Sequence, residues 1–398
     1  MADNIRRLAR ALLVGFCVVA FSLAYWQVVR APGLSARADN PRLVQAELQV
    51  RRGRLLDRRG GVLAYSELAP AGSGGAEVVE RRYPDPAGGH AVGYYSLRYG
   101  IGGAEAAFDS ALRGQLSPLD RLLHRPQIGS DVTLSIDLAA QQVADRAMSD
   151  EPGAVLILDI TNRAVRVLVS RPGYDANRLD EEWERLTGDP GAPLLNRVTH
   201  GVYPVGDLAR LVGLAGLLSA GTTTPPDPLS APLDLMLAPL GRTGYLASAR
   251  QLGFDRAPLF DLPSGAGRLP DKGTPRDLAV TPLHMARLMA AIAADGELPQ
   301  LQLAFLPAPA AGERAFSPGV AARLRAITPR LDGMAAWTGL ATPEETGAKP
   351  LSWLAGYAPG DAPRYAVVAV IEGSDGGSTV TLPLAQQTLD ALEEGSSP

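Results

Sequence analysis

The sequence predicts an α+β protein that follows a single membrane-spanning helix. Residues 11–29 are uncharged and are long enough to cross the hydrocarbon core of a bilayer, which is about 30 Å thick. Beyond them, strand-like runs come first, helix-like runs occupy the middle, and strand-like runs return before a last helix. This order favours an α+β fold over alternating strand–helix units.

The residues that flank the apolar segment predict its orientation in the membrane and whether it is cleaved. Three arginines fall within residues 1–10, and Tyr25 and Trp26 stand near the far end, where interfacial aromatic side chains are common. The positive-inside rule therefore places residues 1–10 in the cytoplasm and the main body outside the cell membrane. A cleaved signal peptide is the alternative, but no clear Ala-x-Ala site closes the segment. We expect a single-pass anchor over residues 11–29.

Composition excludes several classes of function. The net charge of −4 and the isoelectric point near 5.7 argue against nucleic acid as a main partner. The only cysteine, Cys17, lies inside the apolar segment, so the exported part has no disulfide, no thiol catalyst and no thiolate zinc site. The histidines lack the spacing of known metal motifs, so we expect neither a metal site nor a cofactor. These histidines are His90, His124, His200 and His284.

The first exported region, residues 31–128, is predicted to be rich in β-structure. Residues 51–64 predict a strand, a turn at Gly60 and Gly61, and a second strand. A helix-like run over residues 104–112 follows near the end of the region. We interpret this region as a separate N-terminal domain.

The second region, residues 129–396, carries the predicted α+β core. Asp137 is a favourable N-cap for a helix that continues to Met148. Apolar spacing predicts further helices, and β-rich runs predict strands on either side of them. The predicted strands cover residues 131–136, 154–160, 164–170, 351–357 and 365–372. The other predicted helices cover residues 207–218, 246–252, 282–294 and 384–392.

Several short motifs follow one another along the chain. They are R-G-R-L-L-D-R-R-G at 52–60, R-Y-P at 82–84, G-Y-Y-S-L-R-Y at 93–99, R-P-G-Y-D at 171–175, P-L-L-N-R at 193–197, V-T-P-L at 280–283 and S-W-L-A-G-Y-A-P at 352–359. In this order they resemble a class B penicillin-binding protein, the monofunctional peptidoglycan D,D-transpeptidase, particularly its actinobacterial branch. The resemblance implies a transpeptidase-like fold, an antiparallel sheet flanked by helices, preceded by an elongated β-rich pedestal.

The first catalytic motif of that family is altered in this chain. Residues 203–210 read Y-P-V-G-D-L-A-R, where the family normally has Y-P-P-G-S-x-x-K. In the family the serine attacks a carbonyl and the lysine takes its proton. Asp207 stands at the nucleophile position, where carboxylate attack would give a labile anhydride. Arg210 stands at the base position, and a guanidinium stays protonated at physiological pH. The only lysines, Lys272 and Lys349, lie outside the motif positions.

The other two catalytic motifs are altered as well. The second is best placed at S-A-P, with Ser230 present and Pro232 in place of the asparagine that would orient substrate. The third reads W-T-G, with Thr338 and Gly339 present and Trp337 in place of the lysine that would receive the substrate carboxylate. Loss of a nucleophile alone costs on the order of a millionfold in rate. No confident catalytic residue remains at these positions.

The substituted positions allow more than one interpretation. Asp207 suits the N-terminus of a helix, where aspartate is a favoured cap, and Arg210 could pair with it one turn later. A ligand-binding role and an unconventional catalytic role are the alternatives. Trp337 fits a strand and would either pack into the vacated groove or present an exposed indole to a partner. The turn at residues 274–276, T-P-R, also departs from the family's glycine-rich turn.

The resemblance and the altered motifs lead to three functional hypotheses. The first is a catalytically inactive, membrane-anchored scaffold or regulator in peptidoglycan synthesis or cell division. Its anchor and pedestal would bind a polytopic cell-wall glycosyltransferase or a divisome protein. The second is an active D,D-transpeptidase that cross-links stem peptides through an acyl-serine. The third is a sensor that binds muropeptides from peptidoglycan. We prefer the first because all three catalytic motifs are damaged.

Overall fold

The computed structural model describes most of the chain. The described residues are 2–30, 47–70, 77–116, 123, 125–222, 224, 227–305, 312–342 and 349–394. The predicted domain limits at residues 31 and 396 lie outside these ranges, as does His124.

Helices occur along the whole described chain. The α-helices are α1 (Ala2–Ala24), α2 (Gly89–Val92), α3 (Gly103–Ala107), α4 (Asp109–Arg113), α5 (Leu138–Met148), α6 (Leu179–Gly188), α7 (Arg197–His200), α8 (Ala209–Ser219), α9 (Leu233–Leu237), α10 (Gly241–Gln251), α11 (Pro282–Ala293), α12 (Pro318–Ile327) and α13 (Ser378–Glu394). Short 3₁₀ helices cover Pro86–Gly88, Ala176–Arg178, Gly206–Leu208 and Pro275–Asp277. With the π-helical turn Tyr25–Arg30, α1 forms a segment, Asn4–Arg30, that is long and apolar enough to span a membrane.

Strands lie between these helices, several of them in consecutive runs. They are β1 (Leu55–Leu56), β2 (Val62–Pro70), β3 (Glu77–Arg82), β4 (Tyr94–Ser96), β5 (Gly100–Gly102), β6 (Val132–Thr133), β7 (Gly153–Asp159), β8 (Ala164–Arg171), β9 (Tyr203–Pro204), β10 (Ala279–Val280), β11 (Glu297–Leu298), β12 (Glu313–Arg314), β13 (Arg330–Leu331), β14 (Met334–Ala341), β15 (Leu351–Ala358) and β16 (Tyr365–Glu372). A four-stranded sheet has the order β3-β2-β1-β6.

The chain divides into two compact units. One comprises Met1–Arg51, Leu68–Glu80 and Leu116–Gln127, and the other comprises Arg52–Glu67, Arg81–Gln115 and Ile128–Pro398. The second unit contains all positions of the three altered motifs. The predicted domain limit between residues 128 and 129 stays a prediction.

An antiparallel six-stranded sheet organises the second unit. Its order is β13-β14-β15-β16-β7-β8, and each neighbouring pair is antiparallel. Helices α8 and α11 contribute to the apolar core on one face, and α5 and α13 to the core on the other. Strands β15 and β16 are buried on both faces, which explains their nearly continuous apolar sequences. The predicted α+β fold, an antiparallel sheet flanked by helices, is confirmed.

Local sequence signals place most of these elements within a few residues. The Asp137 side chain accepts a hydrogen bond from the Ala140 amide, so the predicted cap of α5 is confirmed. Helix α13 begins six residues earlier than predicted and contains Pro383. The predicted helix starts after this proline, and a proline is disfavoured inside a helix. Here the buried apolar face of α13, which packs on the sheet, outweighs that preference.

Helix α11 depends on a buried histidine that must stay neutral. Thr281 and His284 form a capping box, in which the Thr281 amide donates to the His284 ring nitrogen Nδ1 at 3.3 Å. The other ring nitrogen, Nε2, lies 2.9 Å from the Arg256 carbonyl oxygen and can donate to it. A neutral imidazole with its proton on Nε2 makes both bonds. Burial lowers the pKa of His284 from 6.5 to about 4.

We expect the free energy of unfolding to fall as pH decreases from about 6.5 to about 4. In this window the unfolded chain binds a proton at His284 and the folded chain does not, so protonation favours unfolding. The lowered pKa of His284 corresponds to a loss of ~3 kcal/mol across the window. Chemical unfolding of the full-length chain at several pH values measures this loss. In His284→Gln, which does not titrate, the loss should be smaller by that amount; an unchanged pH dependence would contradict the assignment.

Candidate functional site

The first and third altered motifs meet along the outer edge of β14, and the second lies beside the first. On this edge β13 pairs only with Met334 and Ala335. Further along, the Gly206–Leu208 turn, which holds the nucleophile position, packs against the strand. Helix α8 follows this turn directly and carries Arg210. The nucleophile position of the first motif therefore lies beside the third motif.

Two glycines allow the turn and the strand to approach closely. A Cβ atom on Gly339 would lie 2.6 Å from the Cβ atom of Asp207. A Cβ atom on Gly206 would lie 2.1 Å from the Leu340 carbonyl oxygen, and Gly206 has a φ of +53°. Other residues disfavour such a backbone conformation. The glycine of the third motif therefore has a packing role that does not require catalysis.

The Asp207 carboxylate bridges the turn and two distant segments. Its Oδ2 atom accepts a hydrogen bond from the Leu340 amide at 3.2 Å, and its Oδ1 atom lies 3.0 Å from Nη1 of Arg276. Asp207 does not cap α8: the N-cap position is Leu208, without a side-chain bond, because a 3₁₀ turn precedes the helix. The interpretation of Asp207 as a helix cap is therefore wrong, and its ion-pair partner is Arg276 rather than Arg210.

Arg210 connects the first motif to the second. Its Nη1 atom donates to the carbonyl oxygens of Pro228 at 2.8 Å and Ala231 at 2.7 Å. These carbonyls flank Ser230, so the segment chosen for the second motif does lie beside the first. A guanidinium that donates two such bonds fixes the segment and accepts no proton.

Ser230, a serine at a catalytic motif position, has a carboxylate as its hydrogen-bond partner. Its hydroxyl is hydrogen-bonded to the exposed Asp227 carboxylate. The hydroxyl of Ser230 and the amides of Ser230 and Leu229 donate to that carboxylate and lower the pKa of Asp227. A carboxylate with a lowered pKa is a weak general base. Pro232 occupies the N-cap position of α9, is exposed, and offers no side-chain amide to a substrate.

Trp337 points into the apolar core. Its side chain is only 5% exposed, and its indole Nε1 atom donates to the Thr328 hydroxyl at 3.3 Å. The hypothesis of an exposed indole that anchors a partner is therefore wrong, and the packing interpretation agrees with the structure. Thr338, the next residue, is half-buried.

Local sequence reasoning missed the partners of Asp207 and Ser230. Arg276 belongs to the T-P-R turn that the sequence marks as a departure from the family, but nothing local indicates that its side chain reaches Asp207. Asp227 lies three residues before Ser230, a spacing typical of a turn in which the side chains meet. The Leu340 amide is a backbone group, so its identity carries no sequence signal.

Comparison with known proteins identifies relatives of the chain. Residues 239–390 match the model of the penicillin binding protein transpeptidase domain. The chain is 29% identical to the peptidoglycan D,D-transpeptidase PbpA of Mycolicibacterium smegmatis over 100% of both chains. It is 27% identical to PbpA of Mycobacterium tuberculosis, over 99% of this chain and 100% of that one. The chain is a homologue of the class B penicillin-binding proteins.

Solved structures agree with this relationship. The crystal structure of penicillin-binding protein A from Mycobacterium tuberculosis superposes with a TM-score of 0.74 at 25% identity, covering 86% of this chain and 99% of that one. Its imipenem acyl-enzyme complex gives the same TM-score at 26% identity, covering 87% of this homologue. The predicted resemblance and the transpeptidase-like fold are confirmed.

Proposed function

We propose that this homologue is a catalytically inactive, membrane-anchored component of peptidoglycan synthesis. The observation that carries the proposal is the Asp207 carboxylate at the nucleophile position, bound to Leu340 and Arg276. The Mycobacterium tuberculosis relative forms acyl-enzymes with imipenem and penicillin G. A stable acyl ester needs a hydroxyl oxygen, which Asp207 lacks, and Arg210 accepts no proton from a nucleophile.

The environment of Asp207 also disfavours stabilisation of an acyl-transfer intermediate. Such intermediates need backbone or side-chain donors aimed at the developing oxyanion. The Leu340 amide at the edge of β14 is already bonded to the Asp207 carboxylate. An incoming oxyanion at this amide would lie beside a carboxylate and would be repelled by it. These features support an inactive site over an active transpeptidase with an unusual nucleophile.

The alternative of an acyl-serine at Ser230 requires a base. The neighbouring carboxylate, Asp227, has a lowered pKa and is therefore a weak base. The nearest cation of the first motif, Arg210, donates to the carbonyls that flank Ser230. Trp337 is buried in the core and supplies no charge to receive a substrate carboxylate. The absence of a lysine at the third motif also weakens the hypothesis that the motif site binds muropeptides as a sensor, because no cation at that motif receives their carboxylate.

We propose that the chain acts through partners at the membrane. The segment Asn4–Arg30 serves as a single-pass anchor with residues 1–10 in the cytoplasm, as the flanking arginines favour. The main body then lies outside the membrane, where a polytopic cell-wall glycosyltransferase or a division protein is the partner. This role needs the fold and the anchor and does not need the nucleophile.

Affinity capture from detergent-solubilised host membranes tests this role. We expect the tagged full-length chain to co-purify a polytopic glycosyltransferase or a division protein after mild cross-linking. A matched control is the same chain with an unrelated apolar helix in place of residues 11–29, which keeps the membrane location and removes specific helix contacts. Recovery of no wall-synthesis or division protein by the native chain would contradict the scaffold role.

A further inference from the structure

A second cleft lies beside the start of the first motif, at Tyr203 and Pro204, and its walls include none of the catalytic motif positions 207, 210, 230, 232 and 337–339. It consists of two adjoining cavities, of about 660 Å³ and about 300 Å³, that share Leu195 and His200 in their walls. We call it the His200 cleft. Its larger half is bounded by β9, the start of β15 and the end of β16, and its smaller half by the aromatic side chains after α2 and β8.

The larger half of the His200 cleft contains one fully compensated carboxylate. Glu372 Oε1 lies 2.7 Å from Nε of Arg197 and accepts a hydrogen bond from the Tyr203 hydroxyl at 2.6 Å. Asp277, another acidic residue in this half, accepts a hydrogen bond from the Thr274 hydroxyl at 2.9 Å. The partners of both carboxylates are therefore supplied by the protein itself.

Two cations in the same half form no ion pair with a described residue. Arg268 and Lys349 line the cavity and are exposed. Within the part of the chain that the structure describes, neither side chain has a carboxylate partner. The cavity walls thus hold three cations and two carboxylates, which leaves one net positive charge. A singly charged anion matches this balance better than a phosphate group, which carries about −1.5 to −2 at neutral pH.

The smaller half of the His200 cleft suits an apolar group. Its walls include Tyr94, Tyr174, Leu194 and Leu262. The rings of Tyr94 and Tyr174 meet edge to face, with centroids 6.1 Å apart. Apolar and aromatic walls with a few polar groups at one end are typical of small-molecule sites.

We propose that the His200 cleft binds a small monocarboxylate that carries an apolar or aromatic group. The carboxylate lies between Arg268 and Lys349, and the apolar group packs against Tyr94 and Leu262. Bonds from these two cations to the carboxylate are charge-assisted and therefore stronger than neutral ones. The site is independent of the proposed scaffold role, since it uses neither Asp207 nor the anchor.

Calorimetric titration of the full-length chain in lipid nanodiscs tests the site. The probes are N-acetyl-L-phenylalanine and its neutral amide, which differ in the carboxylate alone, with empty nanodiscs as the blank. We expect saturable binding of the acid and about tenfold or more weaker binding of the amide, because the amide loses charged hydrogen bonds. Equal affinities, or no saturable binding of the acid at millimolar concentration, would overturn the proposal.

Four variants assign the binding to the predicted cations. Lys349→Gln and Arg268→Gln should each weaken binding of the acid about tenfold and leave the weak binding of the amide unchanged. Lys272→Gln and Arg250→Gln remove the same kinds of charge from exposed positions outside the cleft and should have no effect. Equal losses in all four variants would overturn the assignment, as would displacement of the acid by equimolar inorganic phosphate. Unchanged thermal unfolding midpoints confirm that the variants are folded.

Discussion

Replacing Glu105 with alanine is expected to lower the free energy of unfolding by about 3–5 kcal/mol. Glu105 is fully buried, and its carboxylate lies 3.1 Å from Nε of Arg52 and 2.6 Å from Nε of Arg81. The side chains of both arginines are almost completely buried. Removal of the carboxylate leaves two guanidinium groups in the interior, and among the described residues only Arg52 keeps a second carboxylate partner, Asp109. An uncompensated buried charge is among the most destabilising changes a single substitution can make.

The chain offers an exposed ion pair as the matched control. Glu313 pairs with Arg256, and both side chains are about half exposed. Glu313→Ala should change the free energy of unfolding by less than about 1 kcal/mol, because exposed pairs are screened by water and salt. Denaturant unfolding of the full-length chain measures both variants. Similar losses in the two would show that the Arg52–Glu105 pair does not stabilise the fold beyond a surface pair.

Replacing Trp337 with alanine is expected to cost about 3–5 kcal/mol of stability. The indole is buried in the core on one face of the six-stranded sheet, and its N–H group bonds to Thr328. Alanine would leave a cavity, because a closely packed core collapses only in part, and would remove the hydrogen bond that the Thr328 hydroxyl accepts while it keeps donating to the Leu324 carbonyl. A loss of stability this large is expected only if Trp337, at the lysine position of the third motif, has a structural role.

A second substitution at the same position separates packing from hydrogen bonding. Trp337→Phe keeps most of the ring volume and removes the N–H group, so it should cost about 1 kcal/mol for the hydrogen bond, plus a smaller packing loss. Denaturant midpoints of the two variants give the comparison. A loss below about 1 kcal/mol for Trp337→Ala would contradict the packing role and revive a role for Trp337 in binding a partner.

Much of the fold follows from local sequence signals. The cap at Asp137 and the Pro282 start of α11 are local features, and both predicted helices form. The predicted strands over residues 154–160 and 164–170 form β7 and β8, which pair in antiparallel register. The order of strand-like and helix-like runs along the chain was also sufficient to predict the α+β class, because the strands of the six-stranded sheet come from both ends of the second region.

The functional site depends on contacts that no local pattern contains. Asp207 bonds to Arg276 and to the Leu340 amide, which lie far along the chain, so its own neighbourhood indicated neither partner. The burial of Trp337 was equally hidden, because β14 has apolar residues on both faces and alternation does not show which side is exposed. The family resemblance supplied the position of each motif, and the structure alone supplied the partners.

The acylation state after exposure to penicillin G tests the central claim most directly. Intact-mass spectrometry of the full-length chain should detect no covalent adduct under conditions in which PbpA of Mycobacterium tuberculosis is fully acylated. The reason is that Asp207 provides no hydroxyl for an acyl ester and Ser230 has no effective base. A stoichiometric adduct on a peptide that contains Ser230, lost in Ser230→Ala, would contradict the account and establish an active acyl-serine enzyme.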